Sequence, residues 1–236
     1  MDNNSNKIES LIKQGVRIPC PHGVVIDPSA ELGEGTVIYP CTIIKEGCVT
    51  GKNCEIGPCT VLYKTRVGDG SVLDCVHSEE AVVGSGVTAG PFVHIRPGSV
   101  IGDGVRLGNF VEIKNSSIGE KTAVSHLTYV GDSDVGRGVN FGCGTVTVNF
   151  NGKEKNRCKI GDGAFIGCNT NLLAPVEIGE RAYTAAGSTI TDNVPPDSLA
   201  IARARQTVKA DWVKKRKPYR SPVPAYAEEE KTNTDK

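Results

Sequence analysis

An aliphatic residue recurs at six-residue intervals along most of the chain. The pattern begins at Ile26, continues to Thr147 and, after a gap, resumes from Ile160 to Ile190. Of its 27 six-residue units, Ile, Val or Leu opens 22, and Ala, Ser, Thr, Cys or Val stands fifth in 23. No helix has a period of six, and an ordinary strand needs no small residue at every sixth place. The repeat therefore predicts a parallel β-helix in which each unit forms one short strand and one turn.

Three units would make one triangular coil, so the 27 units predict about nine coils. Successive coils should stack at the ordinary strand spacing of ~4.8 Å. Aromatic residues make up only 5% of the chain, which suits a narrow interior filled by stacked aliphatic side chains. Each coil would contact only its neighbours. Cys48 and Cys54 occupy the small fifth position, and we expect both to pack in this interior as small hydrophobic residues.

The limits of the repeat divide the chain into four segments. They are a leader with a short helix (1–24), the β-helix (25–196), an arm (197–216) and a Pro-rich, then acidic tail (217–236). In the leader, residues 7–15 predict a helix that carries Ile8, Leu11 and Ile12 on one face, stops at Gly15 and caps the first coil. We expect the arm to contain some helix and to pack on the β-helix or on a neighbouring subunit. We expect the tail to be disordered.

Composition excludes several classes of protein. Lys plus Arg and Asp plus Glu both total 27, which argues against a general nucleic-acid binder, because such proteins need a basic excess. No stretch approaches the ~18 apolar residues of a membrane span, and the polar N-terminus lacks the core of a signal peptide. The nine cysteines are odd in number and form no C-x-x-C pair. A disulfide framework or a cysteine zinc site is therefore not expected, and a reducing cytoplasm is the simpler interpretation.

Stacking brings two basic residues together. Arg96 and Lys114 each directly follow the first residue of their unit and are 18 residues, or one coil, apart. They should lie ~4.8 Å apart on one line, where two cations repel each other unless an anion sits between them. A phosphate monoester is the natural anion, with Tyr129 and Lys155 as further groups that could converge on it. The alternative is a solvated pair of side chains that lean apart.

A second line of residues lies along one edge of the predicted prism. His126, Cys143, Cys168 and Ala186 each stand third in a unit of the same column, so they should span three coils, or ~14 Å. They form a groove for a thin, extended ligand, with His126 as a candidate general base at one end. The alternatives are that turns favour small residues anyway and that His126 is a solvated turn residue. The insertion Asn149–Lys159 interrupts the repeat, and long loops on such a scaffold usually carry function.

Five segments carry a family resemblance. They are GPFVHIRPG (90–98), GNFVEIKN (108–115), SHLTYVGD (125–132), VNFGCGTVTVNFNG (139–152) and AIARARQ (200–206). Together they resemble the C-terminal acetyltransferase half of the bacterial bifunctional N-acetylglucosamine-1-phosphate uridyltransferases, over roughly residues 8–215. These motifs are more specific than the six-residue pattern, which many acyltransferases share.

The resemblance implies a left-handed parallel β-helix and a cytoplasmic homotrimer with active sites between subunits. It implies acetyl transfer from acetyl-CoA, as co-substrate, to the amine of glucosamine-1-phosphate, with no metal required. In the family's terms His126 is the base, and Arg96, Lys114, Tyr129 and Lys155 hold the sugar phosphate. Positions around the sugar and acetyl group match Asn140, Asn149 and Phe150, and the coenzyme A contacts match Cys143, Cys168, Ala186 and Arg203.

The chain departs from the family at three of these positions and lacks one domain. Phe150 stands where Tyr is frequent, Asn151 where Asp is common, and Cys168 where Ser is frequent. With no nucleotidyltransferase motif, we expect no uridyl transfer and no need for that domain's magnesium. The initial Met and the polar leader favour a natural stand-alone protein over a truncated one. Two alternatives remain open: acetylation of another amino-sugar phosphate such as galactosamine-1-phosphate, and a non-catalytic trimeric partner of a nucleotidyltransferase, bound through the N-terminal segment or the arm.

Overall fold

The computed structural model describes residues 3–216, and the predicted tail at 217–236 falls almost wholly outside that range. Residues up to Arg203 form one compact unit, a parallel β-helix with three sheets. Each sheet takes every third strand of the chain, so neighbouring strands in a sheet are one coil apart. The parallel β-helix predicted from the repeat is confirmed.

Sheet 1 contains ten strands: β1 Val25–Ile26, β4 Ile43–Ile44, β7 Val61–Tyr63, β10 Val76–Glu79, β13 Val93–Ile95, β16 Glu112–Lys114, β19 Tyr129–Gly131, β22 Val146–Val148, β25 Asn171–Leu173 and β28 Thr189–Ile190. Sheet 2 contains nine: β2 Glu31–Leu32, β5 Val49–Thr50, β8 Arg66–Val67, β11 Val82–Val83, β14 Val100–Ile101, β17 Ser117–Ile118, β20 Ser133–Val135, β23 Cys158–Ile160 and β26 Val176–Ile178. Sheet 3 contains ten: β3 Val37–Ile38, β6 Glu55–Ile56, β9 Val72–Leu73, β12 Thr88–Ala89, β15 Arg106–Asn109, β18 Ala123–His126, β21 Asn140–Phe141, β24 Phe165–Ile166, β27 Tyr183–Thr184 and β29 Leu199–Ala200.

The core is a stack of the residues that open the six-residue units. Ile38, Ile56 and Leu73 follow one another in sheet 3 and are fully buried. The small fifth residues are buried too, including Cys48 and Cys54, as the sequence predicted. Where the fifth residue is Thr, its hydroxyl bonds a turn carbonyl, as in the 2.8 Å bond from Thr145 Oγ1 to the Gly142 oxygen. The buried hydroxyls therefore satisfy backbone groups that the tight turns would otherwise leave unpaired.

The structure has about ten coils rather than nine, because two strands lack an aliphatic inward residue. In β10 the inward residue is Ser78, which is fully buried and hydrogen-bonded at 3.0 Å to the hydroxyl of Thr65. In β29 it is Ala200, which lies beyond Pro195 and Pro196 and pairs with Thr184 of β27. The expected boundary at residue 196 was therefore too early, since the first part of the arm completes a coil.

A single helix, α1 (Asn3–Lys13), precedes the first coil. Ile8 and Leu11 are buried, whereas Ile12 is 50% exposed, so its predicted place on the packed face was wrong. The Asn4 side chain accepts a hydrogen bond from the Ile26 N–H and donates one to the Val24 oxygen, both at 2.9 Å. These bonds supply β1 with the partners that a preceding coil would provide, so the helix caps the β-helix as expected.

Residues 204–216 belong to a second unit, and their backbone forms turns rather than the helix that we expected. Within it the Arg216 guanidinium lies 3.9 Å from the centre of the Trp212 ring. Among residues 3–216, no helix is long and apolar enough to cross a membrane.

Candidate active site

The outer face of sheet 1 carries two columns of side chains, one on each side of the buried central residue. Strands β13, β16 and β19 bury Ile95, Ile113 and Val130, so the residues before and after them point outward. The later column holds Arg96 and Lys114 one coil apart, with Gly131 paired to Lys114 on the next coil. The stacking of Arg96 and Lys114 predicted from their 18-residue spacing therefore matches the strand register.

Lys114 is anchored by a buried carboxylate, which the sequence analysis missed. Its ammonium lies 3.0 Å from Asp132 Oδ2, and the two side chains are only 16% and 4% exposed. Asp132 also accepts a hydrogen bond from the Asn115 amide at 2.6 Å and another from the Asn149 amide. Burial acts to raise the pKa of Asp132, but the bonds from Asn115, Lys114 and Asn149 outweigh it and hold that pKa below the usual 3.8.

The insertion forms a short hairpin that returns a second lysine to Lys114. Phe150 and Lys155 form an antiparallel bridge, and Asn149 at the base of the hairpin is buried. The Asn151 side-chain oxygen accepts hydrogen bonds from the N–H groups of residues 153 and 154 at 2.9 and 3.0 Å. An aspartate could do the same, so this departure from the family affects the tip of the hairpin rather than the site. The predicted insertion ended too late, because Cys158 and Lys159 belong to β23.

The two lysines share a proton-dependent interaction. The hydrogen bond from the Lys114 ammonium and its charge lower the pKa of Lys155, since two adjacent ammonium groups repel each other. Burial acts to lower the pKa of Lys114, but its neighbours Lys155 and Asp132 outweigh burial and raise it. Lys114 is therefore the member of the pair that keeps its proton.

Arg96 and Tyr129 complete this group, which we call the cation site (Arg96, Lys114, Tyr129 and Lys155). Arg96 donates a 2.8 Å hydrogen bond to Glu112, at the start of β16. Tyr129 starts β19, and its phenol extends along the outer face over Gly131, where an added Cβ would lie 2.3 Å from the hydroxyl. The Tyr129 hydroxyl also accepts a 3.3 Å bond from the Asn149 amide. The four residues converge on one open face.

His126 lies at the corner between sheets 3 and 1, three residues before Tyr129. Its imidazole is exposed, and it borders an open cleft of about 580 Å³ that Arg106 and Asn109 also line. The turn passes through Leu127, a non-glycine residue with a φ of 46°. The same backbone position in the two preceding coils holds Phe92 and Phe110, whose exposed rings stack 5.3 Å apart.

The second predicted line has the expected geometry. β18, β21, β24 and β27 are consecutive strands of sheet 3, so His126, Cys143, Cys168 and Ala186 follow one edge at one-coil intervals. The Cys143 oxygen accepts a 2.7 Å bond from the Asn169 N–H, and the Cys168 oxygen accepts a 2.8 Å bond from the Gly187 N–H. The Arg203 side chain reaches Gly187, directly after Ala186, with its Cδ 3.8 Å from a Cβ built there. Cys168 and Arg203 are exposed, whereas Cys143 and Ala186 are half-buried.

Two predicted site residues stand apart from both groups. Asn140 begins β21 on the outer face of sheet 3, half-buried, and Phe150 projects from the hairpin with 55% of its surface exposed. Asp132 and Asn115 were the residues to find. The available signal was their position directly after the cation column and one coil apart, at the same corner between sheets 1 and 2.

Two comparisons identify close relatives of the chain. It is 52% identical over 212 residues to bifunctional protein GlmU of Acetivibrio thermocellus, which covers 90% of this chain and 46% of that protein. It is 51% identical over 203 residues to bifunctional protein GlmU of Bacillus velezensis, which covers 86% of this chain and 44% of that protein. The chain therefore spans just under half the length of the curated relatives it matches.

A structural comparison supports the fold alone. An Arabidopsis UDP-N-acetylglucosamine acyltransferase structure matches with a TM-score of 0.52 and 15% identity, over 76% of this chain and 70% of that one. The model of the bacterial transferase hexapeptide family, which describes six repeats, matches residues 80–115 and 157–192. Its six-residue repeat is the one that builds the coils, and the resemblance to the GlmU family is confirmed by the identity of the relatives. The chain thus belongs to the hexapeptide-repeat transferase family and matches the acetyltransferase part of GlmU.

Proposed function

We propose that the chain transfers an acetyl group from acetyl-CoA to the amine of glucosamine-1-phosphate and releases N-acetylglucosamine-1-phosphate. The observation that carries this proposal is the cation site, in which Lys114 and Lys155 lie side by side on one face with Arg96. A phosphate monoester offers the charge and the acceptor oxygens that such a group requires. The exposed imidazole of His126 lies around the adjoining corner, and the GlmU relatives support the same activity.

In the proposed mechanism the cation site binds the phosphate and so orients the sugar amine. His126 accepts a proton from the amine as its nitrogen attacks the thioester carbonyl carbon. The N–H of Cys143, which makes no backbone hydrogen bond within residues 3–216, would donate to the developing oxyanion. When the tetrahedral intermediate collapses, the C–S bond breaks, and the protonated His126 returns the proton to the departing thiolate. No covalent enzyme intermediate is needed.

Acetyl-CoA would lie along the edge that His126 begins. The half-buried and exposed small residues Cys143, Cys168 and Ala186 leave room for an extended thioester arm, and Arg203 could pair with a phosphate of the coenzyme. Since Asn140 and Phe150 border neither line directly, we assign them to the surroundings of the sugar and acetyl group. Cys168 takes part in the ladder through its backbone, so its replacement of Ser is a mild change.

We further propose a cytoplasmic homotrimer with active sites between subunits. The exposed corner residues Phe92, Phe110 and Leu127 are 58%, 56% and 59% exposed, and they adjoin His126 along the same edge. A second copy that covers this apolar edge would also enclose the site. All nine cysteines are free thiols, which suits a reducing compartment.

Galactosamine-1-phosphate remains a second candidate acceptor because of Phe150. This residue lacks the hydroxyl of the tyrosine that is frequent at its position, and a lost hydrogen bond to a sugar hydroxyl would relax discrimination between the two epimers. The cation site would serve both acceptors equally.

Product identification tests the proposal. Glucosamine-1-phosphate and acetyl-CoA are incubated with the full chain, and the product is examined by proton NMR. An N-acetyl signal on the sugar phosphate, absent without protein, is expected. An O-acetylated product, or hydrolysis of acetyl-CoA without any acetylated sugar, would contradict it.

Gly131→Ala is expected to raise the KM for glucosamine-1-phosphate by about 10–100-fold, the value of one hydrogen bond to a charged group. The backbone of Gly131 is not in the left-handed region, so alanine is tolerated there, but its methyl group displaces the Tyr129 phenol. The KM for acetyl-CoA should not change. Tyr129→Phe is the matched variant, and the double variant should be no worse than either single variant, because both remove the same contact. Additive effects would contradict this role of Gly131.

Binding of the sugar phosphate is expected to be accompanied by proton uptake at alkaline pH. Lys114 lowers the pKa of Lys155 from its usual 10.5 in the free protein, and a bound dianion would restore it. Between the lowered pKa and 10.5, Lys155 should therefore gain a proton as the ligand binds. Titration calorimetry in buffers of different ionisation enthalpy measures this uptake. Lys155→Met should abolish it, and equal uptake in that variant would exclude Lys155 as its source.

A further inference from the structure

A cluster of two histidines and a glutamate lies on the outer face of sheet 1, apart from the residues proposed for acetyl transfer. Strand β10 buries Ser78, so His77 and Glu79 on either side of it point outward together. On the next coil, His94 of β13 pairs directly with His77. The strand register therefore brings the three side chains together, and one ligating atom from each lies within 4.8 Å of the other two.

The contacts within the cluster leave nitrogen lone pairs for a ligand. His77 Nε2 lies 2.9 Å from Glu79 Oε1, and the rings of His77 and His94 are 5.2 Å apart at 66°. Within residues 3–216, neither ring nitrogen of His94 has a hydrogen-bond partner. The His77 and Glu79 side chains are 45% and 38% exposed, so an ion from solvent can reach them.

The charges favour a cation over an anion. A carboxylate between two imidazoles would repel phosphate, and it would neutralise part of the charge of a divalent ion. Arg96 faces Glu79 from the next coil, but Arg96 is already paired with Glu112 at 2.8 Å. Glu79 is therefore not engaged by Arg96 and remains available to the histidines.

We propose that His77, Glu79 and His94 form a site for a divalent transition-metal ion, with zinc as the best match. Two imidazoles and one carboxylate are ligands that zinc prefers, whereas magnesium and calcium take oxygen ligands. Ligand atoms around tetrahedral zinc lie about 3–4 Å apart, so the present separations require only small side-chain rotations. The fourth position would be left to water.

The ion would link two successive coils through side chains. His77 and Glu79 come from β10 and His94 from β13, so the metal would tie these strands together at a point where the inward residue is the polar Ser78. This site takes no part in the proposed transfer of the acetyl group. Its occupancy should raise the melting temperature, because a ligand that binds only the folded state stabilises it.

Calorimetric titration of the metal-free full chain with Zn²⁺ tests the proposal. One ion per chain is expected in the wild type and in His22→Ala, which removes an exposed histidine outside the cluster. His77→Ala and His94→Ala should each weaken binding by more than ~100-fold, since even partners of the ligands are worth about 10–100-fold. Their melting temperatures without metal should match the wild type, which shows that they fold, and zinc should raise only those of the wild type and of His22→Ala. Unchanged affinity in His94→Ala would overturn the proposal.

The free thiols are the competing zinc ligands, and two further measurements separate them from the cluster. Cys59 and Cys75 lie on adjacent coils, and their thiols interact. Cys59→Ser should leave the zinc affinity unchanged, and loss of binding in that variant would assign the metal to the thiols. Co²⁺ bound at the histidine cluster should show ligand-field bands without the thiolate-to-metal charge transfer of a cysteine site, and a strong charge-transfer band that survives in His77→Ala would also overturn the proposal.

Discussion

His126→Ala is expected to lower kcat for acetyl transfer to glucosamine-1-phosphate by about 10²–10⁴-fold, the usual contribution of a positioned general base. The amine must lose a proton as it attacks the thioester, and His126 is the group that we assign to accept it. The imidazole is exposed at its corner and its ring makes no hydrogen bond within residues 3–216, so stability and assembly should not change. Both KM values should change little.

The matched control for this variant is His22→Ala, which removes an exposed histidine far along the chain from the site. Size-exclusion chromatography with light scattering would verify that both variants keep the wild-type assembly. Added imidazole should partly restore the rate of His126→Ala, since it can enter the space of the missing ring and accept the proton. A kcat near the wild-type value at neutral pH would remove His126 from the base role.

Asp132→Ala is expected to destabilise the folded chain by about 3–5 kcal/mol, the usual consequence of leaving a buried charge without its partner. Lys114 is only 16% exposed, and Asp132 is its one close carboxylate partner within residues 3–216. The amides of Asn115 and Asn149 would lose the same acceptor. The hairpin that carries Lys155 would lose its anchor, so binding of the sugar phosphate should weaken as well.

Denaturant unfolding at matched protein concentration measures this effect, with Asp134→Ala as the control. Asp134 pairs with Arg157, but these side chains are 50% and 42% exposed, and such surface pairs contribute at most about 1 kcal/mol. The pH dependence gives a second check with Asp132→Asn. The pKa of Asp132 is lowered in the folded state, so its contribution is complete above the ordinary carboxyl pKa of about 4 and is lost as the pH falls through the lowered value. The stability gap should therefore narrow only below about pH 4, and equal losses in the two alanine variants would contradict the account.

Sequence spacing was enough to predict the parallel β-helix and both functional lines. A coil of three units converts a separation of 18 residues, as between Arg96 and Lys114, into direct stacking. The column of His126, Cys143 and Cys168 follows from the same arithmetic, despite the interruption by the hairpin. The position of Lys155 rested on family resemblance, because no repeat governs the path of an inserted loop.

Features that leave the repeat intact or weaken its pattern were missed. Asp132 occupies a turn position where a polar residue is ordinary, and only its four-way contact with Lys114, Asn115 and Asn149 sets it apart. The strand at Ser78 was missed because its inward residue is polar, and Ala200 because two prolines precede it. Ile12 follows the helical pattern but points away from the first coil, since α1 lies on that coil through one narrow face.

The central claim is that this chain is an acetyltransferase whose cation site selects an amino-sugar 1-phosphate. The most direct measurement follows thiol release from acetyl-CoA by the full chain with glucosamine-1-phosphate, galactosamine-1-phosphate and glucosamine-6-phosphate side by side. Rapid release with glucosamine-1-phosphate alone is the predicted result, and it would support the reaction, the acceptor and the phosphate site together. No release with any of the three from correctly folded protein would contradict the claim and favour a non-catalytic partner of a nucleotidyltransferase.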